Sequence, residues 1–147
     1  MDYKELNDQL RALVDSIPHR IANLANASAL LYSTLDRLNW AGFYEVSGDR
    51  LVLGPFQGLP ACIEIPMGRG VCGTSANENR TLVVSNVHEF PGHIACDSAS
   101  NSEIVVPLHI DGRVAYVLDI DSPVFNRFDD ADRAGLEEFA SILEKAL

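Results

Sequence analysis

The chain has 147 residues, a formal charge of −10 and 47% hydrophobic residues, which suits one soluble domain with an ordinary core. Its 11 basic residues are scattered, so no basic patch offers a nucleic-acid phosphate backbone a footing. No long apolar run predicts a transmembrane helix, and the charged opening Met1-Asp2-Tyr3-Lys4-Glu5 argues against a signal peptide, so the expected location is the cytoplasm.

Leu6, Leu10, Leu13, Val14 and Ile17 fall at helical spacing, and Pro18 stops that first helix. A second helix places Ile21, Leu24, Ala25, Ser28, Leu31, Tyr32 and Leu35 on one stripe. At Asn39-Trp40 the character changes. Trp40 to Val46 is aromatic and β-prone, Ser47-Gly48-Asp49-Arg50 is a turn, and Leu51 to Phe56 returns as a strand. Cys62-Ile63-Glu64-Ile65 alternates like a short strand, which would put Cys62 and Glu64 on one face. Pro66-Met67-Gly68-Arg69-Gly70 is a glycine-rich turn leading into a short helix from Val71 to Asn79, with Cys72 on it, and Thr81 to Ser85 reads as another short strand.

A long polar loop follows, from Asn86 to Ser102, broken by Pro91-Gly92 and carrying His88, His93 and Cys96. Long loops in compact domains are often functional. Glu103 to Ile110 and Arg113 to Asp121 are then two strands joined at Asp111-Gly112. The hydrophobic pattern predicts a type I turn with Gly112 in a bulge, pairing Glu103 with Asp119. One face would hold Ile104, Val106, Leu108, Val114, Tyr116, Leu118 and Ile120; the other would gather Glu103, Asp119 and Asp121. Asp129 is the expected cap of a last helix whose buried side uses Ala134, Leu136, Phe139, Ile142 and Leu143. The order of elements predicts an α+β fold, a largely antiparallel sheet with helices packed on it.

Three acids on one sheet face, beside a loop with a thiol, are the main chemical signal. The ordinary alternative is a solvated sheet face, but the segment is otherwise strongly apolar. Crowded carboxylates raise at least one pKa and leave a neutral acid able to donate a proton, or to help recognise an amine. Cys96, in polar loop surroundings, is a candidate nucleophile, whereas inert cysteines usually sit in apolar company. Cys62 and Cys72 are either packing residues or partners for an oxidised Cys96. Zinc binding through His88, His93, Cys72 and Cys96 lacks the close paired spacing of zinc sites, so no metal is expected. The Gly68-x-Gly70 pair lacks the rest of a phosphate-binding fingerprint.

Five stretches, Asn39-Trp40-Ala41-Gly42-Phe43-Tyr44, Leu53-Gly54-Pro55-Phe56-Gln57-Gly58, Gly68-Arg69-Gly70-Val71-Cys72-Gly73-Thr74, Phe90-Pro91-Gly92-His93-Ile94-Ala95-Cys96-Asp97-Ser98 and Leu118-Asp119-Ile120-Asp121-Ser122-Pro123, closely resemble the free methionine-(R)-sulfoxide reductases, which are GAF-domain proteins. The resemblance runs from Asn39 to the C-terminus and implies a GAF-like sheet of about six strands in a single domain spanning residues 1–147. It implies reduction of the free amino acid sulfoxide, with no bound cofactor and with thioredoxin as external reductant. Cys96 matches the family's catalytic cysteine; Cys62 and Cys72 match the other two, with Cys62 the expected first resolving partner. Glu103, Asp119 and Asp121 match the active-site carboxylates, Trp40 the aromatic pocket wall, and Tyr44 extends it. Homodimers are common among GAF domains, which makes one an expectation here. Asn126-Arg127-Phe128-Asp129-Asp130 resembles a motif of nucleotide-binding GAF domains, here expected to serve structure alone. The competing reading is a GAF sensor that binds a small ligand without turnover.

Overall fold

The computed structural model describes residues 1–94 and 96–147; Ala95, within the loop singled out above, lies outside them. The chain runs α1 (Tyr3–Val14), α2 (Arg20–Thr34), β1 (Trp40–Ser47), β2 (Arg50–Gly58), β3 (Glu64–Pro66), α3 (Gly70–Glu78), β4 (Leu82–Val84), β5 (Ser102–Ile110), β6 (Arg113–Ser122) and α4 (Asp130–Glu144). The six strands form one sheet in the order β3-β2-β1-β6-β5-β4, every neighbour antiparallel. The expected α+β architecture with a six-stranded antiparallel sheet is borne out. Among the described residues, no helix is long and apolar enough to cross a membrane.

Alternation along the strands splits the apolar residues into two clusters. On one face Ala41, Phe43, Ile104, Val106, Leu108, Leu118 and Ile120 meet Leu6 and Leu10 of α1, Leu24 and Leu31 of α2, and Leu136, Phe139 and Leu143 of α4. This is the main core. On the other face Trp40, Tyr44, Val105 and Val117 meet Val71, Cys72 and Ala76 of α3. That smaller cluster carries the site.

Several helix expectations shift in detail. Asp2 caps α1 by accepting from the Glu5 amide, but the helix ends at Val14, since Ser16 takes a left-handed conformation; Ile17 therefore stands outside the helix, 39% exposed. On α2 the buried stripe runs through Leu24, Ala27, Ser28 and Leu31. At 100° per residue, Ile21 and Tyr32 are rotated to its edge and lie exposed. Asp129 does cap α4, in a reciprocal capping box with Asp132. Ala134 turns to solvent, and Gly135 and Ala140 take its expected place against the core. Arg127 is buried and braces this end of the fold, donating to Asp132 (3.3 Å) and to the Asp36 main chain (3.1 Å).

The β5–β6 hairpin corrects the predicted turn. Ile110 pairs with Arg113, and Asp111 and Gly112 both have positive φ (54° and 75°), so the connection is a tight two-residue turn. Such a turn follows the right-handed strand twist, and Asp tolerates the left-handed region. The extra residue is absorbed further along: Leu108 faces Tyr116 while His109 faces Val114, leaving Ala115 as a bulge. The bulge restores the expected faces beyond it, but Val114 falls on the opposite side from the one predicted. Glu103 consequently faces Asp121, and Asp119 faces Val105, one step diagonal to Glu103.

Candidate active site

Strand alternation and register place Trp40 of β1 opposite Asp121 of β6, Gly42 opposite Asp119, and Tyr44 opposite Val117. Glu103 follows on β5, so the acids sit at the centre of the smaller cluster's sheet face, with α3 and the 86–102 loop over them. Together these elements enclose a cavity of about 40 Å3, room for a few waters, lined by Trp40, Tyr44, Cys72, His93, Cys96, Glu103, Asp119 and Asp121 among others.

The aromatic wall is built around a glycine. Phe56 stacks on Trp40 at 5.1 Å between ring centres, and the Tyr44 ring centre lies 6.0 Å from that of Trp40. A Cβ at Gly42 would overlap that of Phe56, so only glycine lets the two strands close here. Trp40 donates its indole N–H to the main chain after β2 (3.1 Å), and Tyr44 donates its hydroxyl to the Cys62 carbonyl (2.9 Å). Both bonds tie the wall to the segment that bears Cys62.

Glu103, Asp119 and Asp121 are 7%, 6% and 9% exposed. Burial is the chief cause that raises all three pKa values above the ordinary carboxylate range. For Glu103 and Asp121 the negative charge of Asp119 adds to the rise, whereas hydrogen bonds from Glu103, Asp121 and Cys72 pull Asp119 back down. Asp119 is thus the acid that ionises first, and Glu103 and Asp121 are held neutral beside it. Asp119 Oδ1 is buried and has no hydrogen-bond partner among the described residues.

Cys72 is buried on α3, with its thiol 3.9 Å from Glu103 Oε2. Desolvation first, then the Asp119 charge, push its pKa well above 9.0, so at rest it is a thiol and a poor nucleophile. Cys72, Glu103 and Asp119 place their ligating atoms within 4.8 Å of one another, the one such group among the described residues. The same protons that neutralise it would have to leave before a cation entered.

Cys96 and Cys62 are joined in a disulfide, with Cα atoms 5.4 Å apart. Cys96 lines the cavity; Cys62 does not. Nor does Cys62 share a strand face with Glu64, because β3 begins only at Glu64, whose side chain turns outward to Arg50 (3.3 Å). The disulfide fastens the irregular segment before β3 to the Cys96 loop.

Of the residues expected from sequence to be catalytic or to line the pocket, all but Cys62 reach this cavity. Others were missed. His93, weighed from sequence only as a zinc ligand, also lines it, with its pKa lowered by burial and then by the charge of His88. Asn39 donates to Asp97 (2.9 Å) and Ser100 (3.0 Å), fastening the Cys96 loop to the start of β1. Its place beside Trp40, at the start of the first motif stretch, was the available signal.

The GAF domain family matches residues 5–147 of the chain. Protein YtsP of Bacillus subtilis is 57% identical over 99% of this chain and 91% of its own length. The free methionine-R-sulfoxide reductase of Escherichia coli is 54% identical over 99% of this chain and 88% of its own length. Among solved structures, the reduced form of the Staphylococcus aureus enzyme fRMsr superposes with a TM-score of 0.97 at 53% identity, covering 99% of this chain and 95% of that one. The Neisseria meningitidis free methionine-R-sulfoxide reductase, in complex with its substrate, gives a TM-score of 0.95 at 48% identity, covering 98% and 87%.

Proposed function

Since this chain belongs to the GAF-domain family and, within it, to the free methionine-R-sulfoxide reductases, we propose that it reduces free L-methionine-(R)-sulfoxide to methionine with Cys96 as nucleophile. The observation that carries this reading is the cavity itself, in which Cys96 stands over two neutral acids and one carboxylate beneath an aromatic wall.

The residues suit each step. The Cys96 thiolate attacks the sulfoxide sulfur, and Glu103 or Asp121, kept protonated by burial, gives its proton to the sulfoxide oxygen. The resulting hydroxyl passes from the substrate sulfur to Cys96 Sγ as the transient bond between the two sulfurs breaks, so methionine leaves and Cys96 becomes a sulfenic acid. The Cys62 thiol attacks that sulfur, water departs, and the Cys62–Cys96 disulfide forms. Asp119, the most readily ionised acid, holds the substrate's ammonium group, and Trp40 and Tyr44 pack on its apolar side chain. Thioredoxin then returns both cysteines to thiols. Cys72, protonated and bonded to Glu103, supports the acid cluster rather than the nucleophilic step.

The test is turnover of R and S sulfoxides, each free and peptide-bound. Only the free R form is expected to yield methionine, and Cys96→Ser is expected to abolish that yield. Turnover by Cys96→Ser, or equal use of the S form, overturns the assignment.

A further inference from the structure

The disulfide joins two different surroundings. Cys96 faces the cavity between the acids and the aromatic wall. Cys62 lies outside that lining, on the loop after β2, flanked by Leu59 (63% exposed) and Ile63 (71% exposed). In a chain with a formal charge of −10, the segment from Leu51 to Ile63 has no charged residue, and residues 57–60 and Ile63 are exposed. The nearest flanking charges, Arg50 and Glu64, pair with each other at 3.3 Å. Large apolar side chains exposed beside a half-buried disulfide, in a neutral setting, suit a partner that must bring a thiolate to that sulfur.

We propose that the 57–63 loop is the docking surface for the protein dithiol reductant, and that this reductant attacks Cys62 rather than Cys96. This rests on the reductase reading above and adds to it the surface and the sulfur. The reductant's thiolate attacks Cys62 Sγ, the Cys62–Cys96 bond breaks, and its electron pair leaves on Cys96. The reductant's second thiolate then attacks its own chain's sulfur in the mixed disulfide and releases Cys62. The reductant ends as a disulfide, this chain gains two electrons, and the two protons of the dithiol end on Cys62 and Cys96. Substrate and reductant thus approach opposite ends of one bond, while Cys72 lies buried on the cavity side and away from the 57–63 loop.

The experiment follows opening of the disulfide by thioredoxin, separately from methionine formation. Ile63→Glu and the Leu59→Gln/Ile63→Glu pair alter exposed side chains and are expected to slow thioredoxin-driven opening at least fivefold, while opening by dithiothreitol is unchanged. A thioredoxin whose second active-site cysteine is serine, acid-quenched on the oxidised protein, is expected to be found on Cys62 by peptide mapping. Unchanged thioredoxin rates, equal losses with dithiothreitol, or adduct on Cys96 overturn the inference. So does a change in sedimentation from dimer to monomer in Ile63→Glu, which would make a second copy the occupant. Methionine formation by the dithiothreitol-reduced protein tests the underlying reductase reading on its own.

Discussion

Glu103 on β5 stands directly across the ladder from Asp121 on β6, with both carboxyls withdrawn from water. A directly opposed like-charged pair destabilises a sheet, so the arrangement persists by keeping protons. Glu103 binds its proton more tightly folded than unfolded. Its contribution to stability is therefore complete below the ordinary value of 4.5 and is lost as pH rises through the raised folded pKa. Glu103→Gln keeps the shape and removes the titration. The variant should gain thermal stability relative to the parent as pH rises, read as a widening difference in Tm between acid and alkaline buffers. A pH-independent difference would contradict the raised pKa.

Oxidation state should set stability. The Cys62–Cys96 bond closes a sequence separation of 34 residues, and a loop of that size removes chain entropy worth about 4 kcal/mol, before any compensation in the reduced state. Reduction, or Cys62→Ser, should lower stability by roughly 2–4 kcal/mol in urea titration. Denatured oxidised protein should show one reactive thiol, Cys72, against three after reduction.

The disulfide-bonded form should also exclude ligand. A cavity of about 40 Å3 admits a few waters, whereas small-molecule pockets run to roughly 300 Å3 and more. Calorimetry with free methionine is expected to give binding to the reduced protein and none to the oxidised one.

Gly42 is where the aromatic wall is most easily spoiled. Alanine there would bring its Cβ 2.7 Å from the Phe56 Cα, forcing β2 outward and unstacking Phe56 from Trp40. Gly42→Ala should cost roughly 1–3 kcal/mol and raise KM for the sulfoxide more than it lowers kcat. Denaturant titration and steady-state kinetics read the two effects.

Arg127 tests whether the 126–130 segment serves structure. Its guanidinium is nearly enclosed and pairs with buried Asp132 as well as exposed Asp36. Arg127→Met strands the Asp132 charge at the α4 capping box and should cost about 3–5 kcal/mol, with the kinetic constants of the remaining folded protein unchanged. The paired Arg127→Met/Asp132→Asn variant should recover part of that loss.

Local pattern in the sequence sufficed for most elements and for the main apolar faces. Periods of 3.6 and 2 are local properties of the backbone, so α3, α4 and the apolar side of Ile104, Val106 and Leu108 were legible, as was Asp129 as a cap. It also exposed the acids as misfits in an apolar segment, and the likeness of its motifs named the family. Tertiary structure decided what depends on accumulated geometry. Whether the odd residue of the hairpin sits in the turn or at Ala115 changes which acid faces Glu103, and local preference alone did not discriminate between them. Only packing brought His93 to the cavity and Asn39 to Asp97, since both contacts cross between elements distant in sequence. The loop around Cys96 could be seen to hold a thiol. The family resemblance also pointed to Cys62 as its partner; that Cys62 lies outside the cavity and beside exposed Ile63 followed from the fold, because it alone sets which side of a bond meets water.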